Sequence, residues 1–115
     1  MTGAAEVLNL EQLRETFGVV DAAAIELLNR FVEGTTVLVA DMARAVAVRD
    51  ADDARHVAHS IKGAARSAGA DRLAALCTDL DMAIGAEAWD DAEAACAELG
   101  PALLRVKEAV TQLSA

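Results

Sequence analysis

The sequence predicts an all-α protein, an antiparallel up-and-down four-helix bundle with a short additional N-terminal helix. Three observations carry that prediction. Hydrophobic residues make up 55% of the chain but aromatic ones only 3%, so the core is built from Ala, Leu, Val and Ile, and alanine is the strongest helix former. Apolar residues recur at steps of three and four, the spacing of one helix face, and no stretch alternates with the period of two expected of a half-buried strand. Capping residues and glycines punctuate the periodic stretches. At 115 residues the chain is long enough for one core, and residues 1–115 read as a single domain without linker, repeat or low-complexity segment.

The first helix is short. Asn9 with Gln12 three residues later has the form of a capping box, Leu8 is placed to staple the turn, and Gly18 follows Leu10, Leu13 and Phe17 as a terminator. Asp21 is the next N-cap. From there Ile25, Leu28, Val32, Thr35, Val39, Met42 and Val46 keep register across Gly34, which predicts one long helix over 22–48, with a bend expected at Gly34-Thr35-Thr36. The aspartates of Arg49-Asp50-Ala51-Asp52-Asp53 are suited to capping a third helix, about 52–68, which Gly69 ends. Asp71 is expected to cap the fourth, running through Leu73, Leu76, Leu80 and Ile84 to Gly85 and folding back on the third as a hairpin. Asp90 opens the last helix, whose buried side is Cys96, Leu99, Leu103, Val106, Val110 and Leu113. Pro101 falls inside that pattern, where it removes a hydrogen bond and crowds the preceding turn, so a kink or break is expected at Gly100-Pro101. Trp89 reads as a core plug.

The charge balance narrows the partners. Ten Lys and Arg stand against nineteen Asp and Glu, a net charge of −9, which disfavours a phosphate backbone or an anionic membrane surface, since both are bound through cationic side chains. The N-terminal Met1-Thr2-Gly3-Ala4-Ala5-Glu6 has no basic stretch before an apolar run, and no uncharged apolar run approaches the roughly 20 residues that span a bilayer. A cytoplasmic protein is expected. Cys77 and Cys96 each lie at helical spacing from leucines and read as buried free thiols.

One stretch does not read as packing: Val57-Ala58-His59-Ser60-Ile61-Lys62-Gly63-Ala64-Ala65-Arg66-Ser67-Ala68-Gly69. Wound at about 100° per residue, Val57, Ile61, Ala64, Ala65 and Ala68 fall on one side. His59 then faces away from the core among Arg55, His56, Lys62, Gly63 and Arg66. No acidic residue occurs from Ala54 to Ala70, so a positive strip stands on an acidic protein, suited to a partner with an acidic pocket. A neutral imidazole with an ordinary pKa near 6.5 is a competent nucleophile. Phosphoryl transfer spreads negative charge over oxygens that Lys62 and Arg66 are placed to meet. Gly63 is the telling residue, because a glycine within a helix costs roughly 1 kcal/mol against alanine and on the solvent face gains nothing from the core.

Ala58-His59-Ser60-Ile61-Lys62-Gly63-Ala64-Ala65, followed by Gly69 and by Leu73, Leu76 and Leu80-Asp81, resembles the histidine-containing phosphotransfer (Hpt) domains of bacterial phosphorelays. The resemblance covers most of the chain, and its specific core is the His-x-x-Lys-Gly unit. It implies that His59 is phosphorylated on Nε2, that Lys62 assists the phosphoryl group and that Gly63 gives access. The partners it implies are response-regulator receiver domains and a histidine kinase, with the aspartate and Mg²⁺ on the receiver and no cofactor on this chain. Arg55, His56, Arg66 and Ser67 are the expected docking residues. Two departures stand out: Asp81 where members often carry Glu, and Pro101 within a helix usually continuous, both expected to lie off the active strip.

No glycine-rich phosphate loop or acidic metal constellation is present, so the chain is expected to carry phosphate without being a kinase. Two other readings compete. His56 and His59, three residues apart, could share a metal ion, but such sites want three or four ligands and the neighbours here are cationic. Alternatively the strip serves only to dock a partner as an adaptor. Nothing in the sequence calls for a dimer, and a monomer is expected.

Overall fold

Among the described residues this pattern gives six helical segments: α1 (Ala4–Val7), α2 (Leu10–Phe17), α3 (Ala22–Ala47), α4 (Ala51–Ser67), α5 (Asp71–Gly85) and α6 (Trp89–Ser114). The computed structural model describes residues 4–114, Ala5 by its backbone alone. The reading of Met1-Thr2-Gly3 lies outside the described residues. No strand occurs among them.

The caps show why the helices begin where they do. Asn9 Oδ1 accepts from the Gln12 N–H at 3.0 Å, Asp21 Oδ1 from Ala24 at 3.0 Å and Asp50 Oδ1 from Asp53 at 3.1 Å. Each satisfies one orphan donor of a first turn. The capping box at Asn9 is only half made. Gln12 Nε2 donates to Thr16 Oγ1, and the Asn9 N–H donates instead to the Gly69 carbonyl at 2.8 Å. Asp71 does not cap α5: it is the first residue of the helix, Ala70 is the cap position without a side-chain bond, and Asp71 Oδ2 accepts from Asn9 Nδ2 at 3.3 Å. Likewise α6 begins at Trp89, one residue before the expected Asp90.

The three connections between α3, α4, α5 and α6 are three residues each and close in one way. Residues Arg49, Gly69 and Glu87 take φ of 56°, 71° and 57°. Their N–H groups bond to the carbonyls of Val46, Arg66 and Ile84, while the next residue's N–H reaches Ala45, Ala65 and Ala83. That paired pattern is the Schellman motif. Only at Gly69 is the left-handed residue a glycine, and there the chain demands one twice over. A Cβ at Gly69 would stand 2.7 Å from the Asn9 carbonyl oxygen, closer than non-bonded atoms approach.

α3 packs on α4 and α6, and α5 packs on α4 and α6, so the four long helices close a ring; α1 rests on α6 and α2 on α4. The 26-residue helices set the length. At 1.5 Å per residue they span about 39 Å, close to the 42 Å long axis. The core holds Leu13, Leu28, Met42, Ile61, Leu73, Leu76, Leu80, Ile84, Leu99 and Val110. Buried alanines, Ala54, Ala58 and Ala65 on α4 and Ala92, Ala95, Ala102 and Ala109 on α6, leave little side-chain bulk between neighbouring helices.

Several expectations are revised. Ala64 is exposed and Ala58 buried, so the buried face of α4 lies one position over from the predicted edge. Cys77 is buried, but Cys96 is only half-buried, and Trp89 is a half-buried packer at the rim. α3 runs through Gly34 as one helix, as the sequence predicts, whereas the break expected at Gly100-Pro101 does not occur, because α6 continues across it. Pro101 and Ala97 both face solvent, so the carbonyl deprived of its donor can be solvated, which lowers the cost of proline there.

Candidate functional site

His59 sits near the middle of α4, and its side chain is 68% exposed. The helix under it is fixed by Val57, Ala58, Ile61 and Ala65, all buried, so the imidazole stands on a rigid element and not on a loop. One turn on, Gly63 faces solvent, and a Cβ there would meet nothing within 4 Å. Its bareness answers no internal crowding.

Lys62 is half-buried, at the border of the strip and the core. Its positive charge acts on the Cys77 thiol of α5. Burial pushes that thiol up to about 11 and Lys62 opposes the shift, which places the lysine on the α5 side of α4. Neither Lys62 nor Arg66 makes an ion pair among the described residues. His56, Arg66 and Ser67 are exposed. Ser67 lies at the end of α4, where its carbonyl accepts from Thr16 Oγ1 at 2.8 Å, so α2 abuts it. Ser60 returns its hydroxyl to the His56 carbonyl at 3.2 Å.

Arg55, expected to be a docking residue, has surroundings that differ most from expectation. Its Nε donates to Asp81 Oδ1 at 2.9 Å, and the same oxygen lies 3.8 Å from His59 Nε2. The expectation that Asp81 stays off the strip is corrected here. α5 folds back along α4 and delivers it to the histidine, so the strip is not free of acids. A signal for this does exist in the sequence. If α4 and α5 fold back about Gly69, a residue ten before the turn faces one about ten after it, which puts Asp81 within a turn of His59. Among the described residues no group of three or more His, Cys, Asp and Glu comes together to hold a metal ion.

A family model described as Hpt domain matches residues 26–115. The chain belongs to the Hpt family. The match takes in most of α3 and all of α4, α5 and α6, and leaves α1 and α2 outside it. Compared with curated proteins and with solved structures, the chain finds no match. Hpt domains serve histidine phosphotransfer in phosphorelays as phosphocarriers, not kinases, and interact with receiver domains and histidine kinases. No helix of this Hpt domain, among the described residues, is long and apolar enough to cross a membrane.

Proposed function

We propose that this Hpt domain carries a phosphoryl group on Nε2 of His59, taking it from a receiver-domain aspartyl phosphate or a histidine kinase and passing it to another receiver domain. The observation that carries the reading is the open space over Gly63, one turn from an exposed histidine on a rigid helix. A residue that weakens the helix and fills no internal need leaves room for a second molecule.

The Nε2 lone pair attacks phosphorus, the P–O bond to the donor aspartate breaks, and the carboxylate leaves with the bonding pair. The imidazole enters the step with its proton on Nδ1 and Nε2 unprotonated. Lys62, uncommitted to any ion pair among the described residues, meets the charge spread over the phosphoryl oxygens. Mg²⁺ belongs to the receiver, where it neutralises phosphoryl charge. His56 and Arg66 flank the site on the face a receiver would cover. We take the whole chain as one domain acting as a monomer, its four long helices antiparallel in sequence order. The three-residue connections support that arrangement, because each reverses the chain within one Schellman turn.

Incubation with a phosphorylated receiver and Mg²⁺ is expected to label the chain in an acid-labile, base-stable form, and His59→Gln is expected to take none. Label on another residue, or no label from any receiver or kinase, would overturn the reading. Lys62→Ala is expected to slow transfer while leaving the melting temperature within a few degrees, since the residue is not part of the core.

A further inference from the structure

We propose that Arg55 is a phosphoryl-binding residue parked on Asp81: the carboxylate holds the guanidinium in the empty protein, and phosphorylation of His59 transfers it to the phosphoryl oxygens. The inference rests on His59 being the phosphorylated residue.

One oxygen, Asp81 Oδ1, is shared by the two groups, 2.9 Å from Arg55 Nε and 3.8 Å from His59 Nε2. The longer distance is beyond a hydrogen bond, so Asp81 does not tie up the nitrogen that must carry the lone pair. Once Nε2 bears a phosphoryl group, two negative charges arrive beside a carboxylate that is 32% exposed. Like charges at that range repel, and the carboxylate has solvent at hand to turn into.

Arg55 is positioned to gain from the change. It lies four residues before His59, hence on the same face and one turn away. It is half exposed and spends Nε on Asp81, which leaves the terminal amino groups for other partners. Its Nη1 lies over Gly85, 4.0 Å from where a Cβ would be, so a missing side chain on α5 leaves the guanidinium room to swing. A phosphoryl dianion accepts a two-pronged bond from arginine, stronger than a single bond to one carboxylate oxygen. Asp81 therefore competes with the phosphoryl group for one cation and sets how readily His59 holds its cargo.

The test uses the full chain charged by phosphoramidate, a small donor that exchanges its phosphoryl group with histidine as ammonia leaves. At a fixed ratio of phosphoramidate to ammonia, Arg55→Ala is expected to lower the phosphorylated fraction relative to unphosphorylated protein roughly three- to tenfold, with Arg55→Lys recovering part. Asp81→Asn is expected to raise it. In ¹⁵N spectra, the Arg55 Nε–H resonance should differ between the unaltered chain and Asp81→Asn before charging, and that difference should disappear once both are phosphorylated. An unchanged fraction in Arg55→Ala overturns the proposal, as does an Arg55 signal still governed by Asp81 in the phosphorylated protein. A chain that takes phosphate on His59 from phosphoramidate but from no receiver or kinase refutes the relay reading and leaves this test intact. A chain that takes none from any donor refutes both.

Discussion

On the proposed function, Gly63 is the position where structure and function make opposed demands, and replacing it separates them. In Gly63→Ala the new Cβ meets nothing within 4 Å, so the whole effect on stability is the helix preference. Alanine gains about 0.8–1.0 kcal/mol over glycine inside a helix. For a domain of this size that raises the melting temperature by roughly 3–6 °C. Gly34 supplies the internal control: it too lies within a long helix and faces solvent, and a Cβ added there would meet nothing within 4 Å. Gly34→Ala should give a similar gain on α3 with transfer unchanged. At Gly63 the gain should come with a loss. Alanine narrows the approach to His59 modestly, and Gly63→Gln should block transfer from a phosphorylated receiver while the protein melts no lower than the unaltered chain. Thermal melts by circular dichroism and single-turnover phosphotransfer measure the two effects separately. Full transfer activity in Gly63→Gln would refute the reasoning, because the glycine would then serve no approaching partner. A lower melting temperature in Gly63→Ala would refute it from the other side.

Other positions give sharper stability outcomes. Gly69→Ala should destabilise the fold by about 2 kcal/mol or more in a denaturant titration, since it meets both a left-handed backbone and the Asn9 carbonyl at 2.7 Å. Glu87→Gly should do the opposite by roughly 0.5–1 kcal/mol, relieving a side chain held at φ 57°. Cys77, pushed up to about 11 by burial, is held neutral by the fold. A raised pKa gives stability that is complete below the unfolded thiol's value, near 9, and lost as pH climbs toward 11. Unfolding free energy should therefore fall across that window in the unaltered chain and fall less in Cys77→Ala. Alkylation at pH 8 should label Cys96 well before Cys77, because Cys96 is only half-buried and a buried thiol forms little thiolate.

Much of this molecule is legible in the residues. The three-and-four spacing from Ile25 to Val46 sets the true register of α3, and Asn9 and Asp21 read correctly as caps because their side chains act within three residues. The misreadings share a cause, which is that they depend on what lies across space. Pro101 has the pattern of a helix breaker, yet its turn faces water and α6 runs through it. Asp71 has the look of a cap, but Asn9, 62 residues away in sequence, engages its carboxylate. Ala64 and Ala58 exchange places at the border of a face, a matter of one helix rotating slightly against its neighbours. At the site, His59, Lys62 and Gly63 lie within five residues and can be seen together, whereas Asp81 enters from α5 and only the fold-back about Gly69 brings it there. Arg55 belongs to the strip as the helical wheel places it, and its partner escapes the wheel for the same reason.

The fastening of the N-terminal helices has a consequence for how the chain folds. The three turns joining α3 to α6 close over a few residues each. The bonds from Asn9 to Gly69 and Asp71 and from Thr16 to Ser67 instead span 51 residues or more. Closing a long loop costs more entropy than closing a short one, and contacts distant in sequence tend to form late. α1 and α2 should therefore dock last, onto a bundle already made, and leave first. Amide exchange would show this as a separate, lower-energy opening shared by residues 8–17 and by the Gly69 turn. The end of the histidine-bearing helix is thus held by the segment that the family match leaves out, and the tempo of that segment's opening becomes a property of α4 itself.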